Sequence, residues 1–391
     1  MDSAVVVGGG IFGLTAALEL RRRGWNVRVL DQGRVPHPDA ASTDISKVLR
    51  MDYGADGFYM DLMARAFEGW DDWNEAWGET LYHETGVLML AREELAPGGY
   101  EYESYRQLRE RGFPAERLAP ADIRAHFPAW NADRYLDGYF NPRGGYAESG
   151  RVIEQLAAGL RAAGGRINEG VRFRSFVQTG DRVTGVETAD GERVFGEAVI
   201  LAAGAWTPFL HPALGEVMWP TAQDIFHFRV DNSDLYRPPK FPVYTADVSN
   251  TGWYGFPARP DGTLKVANHG VGRRLDPSGP REVRETALAK YRAFFRDTFP
   301  GLVAAPKIYE RVCFYADTFD GDFWIGPDPE NPGLVVASGG SGHAFKFAPV
   351  LGAITADVVE GVPHPDAERF AWREAGEVKT EEARYFSREN L

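Results

Sequence analysis

Apolar runs and helical spacing alternate at the start of the chain in the order strand, turn, helix, strand. "AVVVG" (4–8) is continuously apolar and β-branched, the pattern of a strand buried on both faces. "IFGLTAALELRRRG" (11–24) places Leu14, Ala17, Leu18 and Leu20 at helical spacing. It ends in three arginines before Gly24, a favourable charge at a helix C-terminus followed by a stop residue. "NVRVLD" (26–31) is the second strand. Residues 56–77 predict an amphipathic helix with Leu62, Met63, Ala66, Phe67, Trp70, Trp73 and Trp77 on one broad face. Residues 81–147 are mixed, with short strands and a charged helix near 98–111. A helix follows at 150–165, then three strands, "GVRFRSFV", "RVTGVETAD" and "EAVILAAGAW". From about 217 to 275 the pattern changes to strands with Pro-rich loops, read as a separate antiparallel sheet. A helix is expected at 281–298, with Val283, Ala287, Tyr291, Phe294 and Phe295 inward. The chain closes on strand, Gly-rich turn and helix in "LVVASGGSGHAFKFAPVLGAITADVVEG".

Nucleotide-type segments therefore stand at the start, middle and end, which two interleaved domains explain better than two consecutive ones. With 391 residues, two or three units are expected. The expected division gives 1–80, 148–216 and 311–391 to one domain, and 81–147 and 217–310 to the other. A net charge of −13 argues against nucleic acid and anionic membrane, both of which demand clustered cations. One cysteine excludes an intrachain disulfide and a CxxC metal site, and no metal is expected. The first residues lack a basic region and read as a strand rather than a signal peptide. No apolar run approaches ~20 residues, so no membrane span is expected and the location is read as cytoplasmic. The tail after about Pro363 is charged and expected to be looser.

"VVVGGGIFG" gives Gly8-x-Gly10-x-x-Gly13 after a strand and opening a helix. Gly8 permits the tight turn, Gly10 lets a pyrophosphate approach, and Gly13 lets helix and strand pack. The helix start at Ile11 and Phe12 offers free N–H groups to phosphates. Asp31, 18 residues after Gly13, is spaced to bind ribose hydroxyls. The bland alternative is a glycine-rich turn that binds nothing. NAD and FAD both fit the loop itself. "ILAAGAWT", a strand ending in small residues, resembles its counterpart in two-domain FAD oxidoreductases of the glutathione-reductase-like type. The expected fold class is thus α/β, a Rossmann-like FAD-binding domain interleaved with an antiparallel-sheet substrate domain.

Beyond the loop, "DISKVLRMDYG" (44–54), "GAW" (204–206), "WYGFP" (253–257), "LKVANH" (264–269), "VCFYADTFDGDFWIG" (312–326) and "SGHAFKF" (341–347) stand in order. With the loop, they resemble the flavin amine oxidases of the monomeric sarcosine oxidase group, which includes fructosyl-amino-acid, saccharopine and pipecolate oxidases. Lys47 stands where sarcosine oxidase has arginine, closer to the fructosyl-amine and saccharopine branch. The resemblance implies FAD held through an 8α-thioether bond to Cys313, in a motif completed by Tyr315 and Thr318. Base rates alone would make a lone buried cysteine inert. Lys265 matches the lysine over the flavin face near N5, where a cation would stabilise superoxide as it forms; Lys47 shares that face. Most lysines, by contrast, face solvent.

Arg50 and Lys346 match the pair that binds the substrate carboxylate, and arginine suits a bidentate grip. Lys346 also lies in an otherwise apolar helix start, where an unpaired charge is costly. Tyr254, His269 and Tyr315 are candidate pocket walls, although a lone histidine such as His269 is as often structural. Gly342 and His343 match the helix start near the flavin pyrimidine ring. Gln32, Ser42, Thr43, Val171, Ala203, Gly204 and Trp206 complete the cofactor contacts implied. The activity implied is oxidation of a secondary amine in an N-substituted or cyclic amino acid. Hydride would pass to flavin N5, water would hydrolyse the imine, and O2 would be reduced to hydrogen peroxide by a monomer. A dehydrogenase passing electrons to a partner is the alternative.

Overall fold

Ser3–Val7 is a strand whose last four residues are buried, as its unbroken apolar run predicts. In the computed structural model, which describes residues 2–231 and 234–385, it lies at the centre of a six-stranded sheet. Asn26–Leu30 pairs in parallel on one side and Ala198–Leu201 on the other. Arg166–Asn168 and Leu334–Ser338 extend the parallel part, and Trp324–Pro327 closes the far edge antiparallel. Helix Ile11–Arg22 makes the first crossover and packs between helices Ser149–Ala162 and Ala348–Glu360. Its contact with Ala348–Glu360 is a backbone approach, since a Cβ on Gly352 would stand 2.6 Å from the Thr15 carbonyl oxygen.

The second large sheet has nine strands among the described residues. It runs from Arg273–Arg274 through Met218–Arg229, Thr263–Asn268, Trp253–Gly255 and Val243–Ala246 to Val87–Ala91, Asp137–Asn141 and Glu116–Arg117. Lys307–Thr318 pairs with Met218–Arg229 as well. Helix Ala287–Thr298 covers this sheet and buries Tyr291, Phe294 and Phe295 against it. A small sheet of Lys47–Leu49, Gly145–Ala147 and Tyr82–His83 fixes the stretch that carries Arg50.

Several expectations shift. The second sheet is not wholly antiparallel, because Val243–Ala246 pairs in parallel with Val87–Ala91. The expected boundary at 310/311 falls inside Lys307–Thr318, whose length is hydrogen-bonded into the second sheet. The helix expected from 281 begins at Ala287; before it, in an irregular segment, Arg281 and Arg284 reach out to Asp39 O and Asp224. "EAVILAAGAW" stops being a strand at Leu201, and Gly204–Trp206 turns as a 3-10 helix. The tail is not loose up to residue 385, for Phe370 and Ala383 are fully buried. No helix among the described residues is long and apolar enough to cross a membrane, and no cluster of His, Cys, Asp and Glu there could hold a metal ion.

Two glycines of the first loop divide the work. A Cβ on Gly13 would overlap the Gly8 carbonyl oxygen, whereas one on Gly10 would meet only Ser42 Oγ, at 3.4 Å. Gly13→Ala is therefore expected to cost about 1–3 kcal/mol in urea unfolding through overpacking. Gly10→Ala, at a φ of −83° that alanine adopts freely, is expected to unfold close to the unaltered protein.

Candidate functional site

Two adjoining cavities hold most of the residues singled out in the sequence. The larger, about 500 Å³, is walled at one end by Gly8, Gly10, Ile11, Phe12, Asp31 and Gln32. Val171, Ala203, Gly204, Trp206, Ser42 and Lys47 also line it. Tyr315 and Gly342 stand at the other end. The loop is locked by its own side chains. Asp31 Oδ2 accepts the Gly9 N–H at 2.8 Å, its Oδ1 accepts the Gly33 N–H at 2.9 Å, and Ser42 Oγ accepts the Ile11 N–H at 3.0 Å. Each Asp31 oxygen keeps acceptor capacity for a ribose hydroxyl. The residues present suit FAD. The volume lies in the ~300–1,000 Å³ range of small-molecule sites, and the open face of Gly10 leaves room for a pyrophosphate at a helix start.

The smaller cavity, about 70 Å³, is lined by Lys47, Arg50, Tyr254, His269, Cys313, Tyr315, Gly342, His343 and Lys346. Lys47, Tyr315, Gly342 and Phe345 are common to both cavities. Strand Lys307–Thr318 supplies Cys313 and Tyr315 from the second sheet, and the 3-10 turn Ala344–Phe347 supplies Lys346 from the first unit. The small cavity therefore lies where the two sheets' connections meet.

Its hydrogen bonds have a fixed direction. His343 Nε2 lies 3.0 Å from the Gly321 carbonyl oxygen, which can only accept, so that nitrogen carries the proton. His343 Nδ1 then accepts from Tyr53 Oη at 2.9 Å, and Tyr53 Oη accepts from Lys346 Nζ at 2.6 Å. Burial, against the opposing charge of Glu381, pulls His343 down to about 3, so the imidazole is neutral. Burial and then the Arg50 charge pull Lys346 down to about 7. Arg50 donates to Asp52 O, Tyr100 Oη and the Glu381 carboxylate. Burial would lower the Arg50 guanidinium, yet Tyr100 and Glu381 raise it above the usual arginine value. His269, its basicity lowered by burial, donates Nε2–H to Glu381 Oε2 at 3.2 Å and faces Tyr315 Oη through Nδ1 at 3.4 Å.

Three expected residues line neither cavity. Gly13 packs against the first strand, and Thr43 offers its carbonyl to Arg311. Lys265 is 2% exposed and stands behind the wall, with Nζ 2.6 Å from Asp44 Oδ2 and 2.7 Å from Ser46 O. Burial would raise the Asp44 carboxyl, but the Lys265 charge and His227 hold it well below the usual carboxylate range. Burial draws Lys265 down to about 8, against Asp44. Of the two lysines expected at the flavin face, Lys47 is the one that lines the cavities.

The sequence reading passed over Asp44 and Tyr53, although both stand in "DISKVLRMDYG", and over Glu381. Tyr53 lies three residues past Arg50 and could have been found by asking what pairs a lysine buried in an apolar turn. Glu381 carried no local signal, because a glutamate in a charged tail reads as solvated.

A family model described as FAD dependent oxidoreductase matches residues 3–358. The chain is 27% identical over 355 residues to monomeric sarcosine oxidase of Bacillus sp. (strain B-0618), covering 90% of each. It is 27% identical over 370 residues to N-methyl-L-tryptophan oxidase of Yersinia pestis (strain Pestoides F), covering 92% of this chain and 95% of that one. The solved fructosamine oxidase of Aspergillus fumigatus, a deglycating enzyme in complex with FSA, superposes with a TM-score of 0.85. It is 25% identical and covers 99% of this chain and 94% of that one. Matched from its first strand into its last long helix, the chain belongs to the FAD dependent oxidoreductase family.

Proposed function

We propose that this protein is an FAD-dependent oxidase of secondary amines in N-substituted or cyclic amino acids. The observation that carries the reading is the small cavity. It adjoins the larger cavity, with Lys47, Tyr315, Gly342 and Phe345 lining both, and it holds two buried cations, Arg50 and Lys346. The names of the relatives support an amine substrate. When bound, the flavin supplies the hydride acceptor and returns electrons to O2 as hydrogen peroxide.

The chain's own groups bind, orient and keep water out. Arg50 and Lys346 hold a carboxylate, which sets the amine and its α-carbon toward the larger cavity. Tyr254, Tyr315 and Phe256 wall the small cavity with rings. Burial raises the Tyr254 and Tyr315 phenols, so both stay protonated donors. Lys47 is the cation at the junction. Lys265 works one layer behind, as the counter-charge that holds Asp44 and through it the 44–47 stretch. Cys313, buried against the small cavity two residues before the shared Tyr315, is the proposed thioether tether.

Three outcomes test this. Purified yellow protein offered N-methyl, cyclic, fructosyl and saccharopine-type amino acids under air should release peroxide with at least one class, and silence across all of them sinks the oxidase reading. Acid precipitation should leave flavin in the pellet for the unaltered protein and in the supernatant for Cys313→Ser; free flavin in both means no covalent bond. Lys346 is charged below about pH 7 and neutral above it. Acetate binding, read from the flavin absorbance, is therefore expected to weaken as pH rises through about 7, and Lys346→Met should remove that step.

A further inference from the structure

The anion corner of the small cavity already contains an anion. Glu381 places one carboxylate oxygen on Arg50 Nη2 and the other 3.2 Å from His269 Nε2, with its side chain 6% exposed. Arg50 Nη1 is committed to Asp52 O and Tyr100 Oη. The guanidinium edge that faces Glu381 is thus the edge an incoming carboxylate needs for a two-point grip.

Glu381 is not a stray side chain of a passing tail. Residues 379–385 are tied down along their length as a strap. Lys379 N–H donates to Phe319 O at 2.6 Å, and Tyr385 N–H donates to His269 O at 3.0 Å. Glu382 Oε2 accepts the Ala55 N–H at 3.3 Å. Arg384 pairs with Asp317 at 2.8 Å and donates to Gly270 O at 3.1 Å. The strap lies beyond residues 3–358, the span that the family model matches. Of the strap, Glu381 is the residue that lines the small cavity, whose volume is about 70 Å³.

We infer that Glu381 is a specificity-determining residue, a carboxylate built into the chain that competes with the substrate's carboxylate for Arg50. The inference rests on the reading of this cavity as the substrate site. A ligand anion must either move Glu381 off Arg50 or sit beside its fixed negative charge in a site of low dielectric, and both oppose binding. A neutral group of the same shape meets neither penalty. The pocket is thereby tuned against small free carboxylates and toward amines with enough other contacts to displace the latch.

The test compares acetate with acetamide, its neutral isostere, by flavin absorbance in the holoenzyme at one fixed pH. The unaltered protein is expected to bind the two within about threefold of each other, despite Arg50 and Lys346. Glu381→Gln keeps the side chain's size and its hydrogen-bonding reach while removing the charge, and is expected to favour acetate by at least tenfold, about 1.4 kcal/mol. Two results overturn the latch: strong acetate preference in the unaltered protein, or equal acetate and acetamide gains in Glu381→Gln. The first needs no variant, so it stands even where the substitution disturbs folding. A silent amine panel would remove the oxidase reading while leaving the acetate comparison to report on Glu381 by itself.

Discussion

Buried positive charge is the constraint around which the site is arranged. Lys265, Lys346 and Arg50 are 2%, 4% and 7% exposed, and an ionised group taken that far from water is tolerated only when it is paired. Each has a distant partner. Lys265 reaches Asp44 across 221 positions, Lys346 reaches Tyr53 across 293, and Arg50 reaches Glu381 across 331. These pairings tie the 44–54 stretch to the second sheet, to the turn that enters helix Ala348–Glu360 and to the C-terminal strap. The compensation is uneven. Asp44 answers Lys265 with full charge, whereas Lys346 has only a phenol and so loses basicity to burial and to Arg50.

The two sheets meet because one strand belongs to both stories. Lys307–Thr318 is hydrogen-bonded along Met218–Arg229 in the second sheet, yet its distal half lines the cavity of the first. Phe314, Tyr315 and Ala316 face the larger cavity, and Cys313 and Tyr315 the smaller. A rigid strand fixes these side chains more closely than a loop would, which suits residues that line two adjoining cavities at once.

Much of the architecture was legible because it rests on local rules. The glycine loop, the first βαβ unit and the amphipathic helix Gly57–Trp77 follow from periodicity and from backbone demands within a few residues. Even its stop is local, with Gly78 at φ 61° ending the helix. The helix near 281 was overextended because Val283 continues the apolar spacing, while the arginines beside it are occupied with long-range partners. Lys265 could not be oriented from its neighbours. Thr263–Ala267 is buried throughout, so alternation gives no inward face.

Local sterics and pattern were enough to give the glycine loop, the order of strands and helices, and the set of cations and aromatics from which a site could be built. Which of those charges meet was settled by folding in three dimensions. It set Lys265 behind the wall and Lys47 on it, closed the tail over Arg50, and put a carboxylate where another was expected to bind. The reason is physical. Apolar periodicity repeats every two to four residues and is read from neighbours, whereas compensation of a buried charge depends on distance in space, and the partners here lie more than two hundred positions apart along the chain.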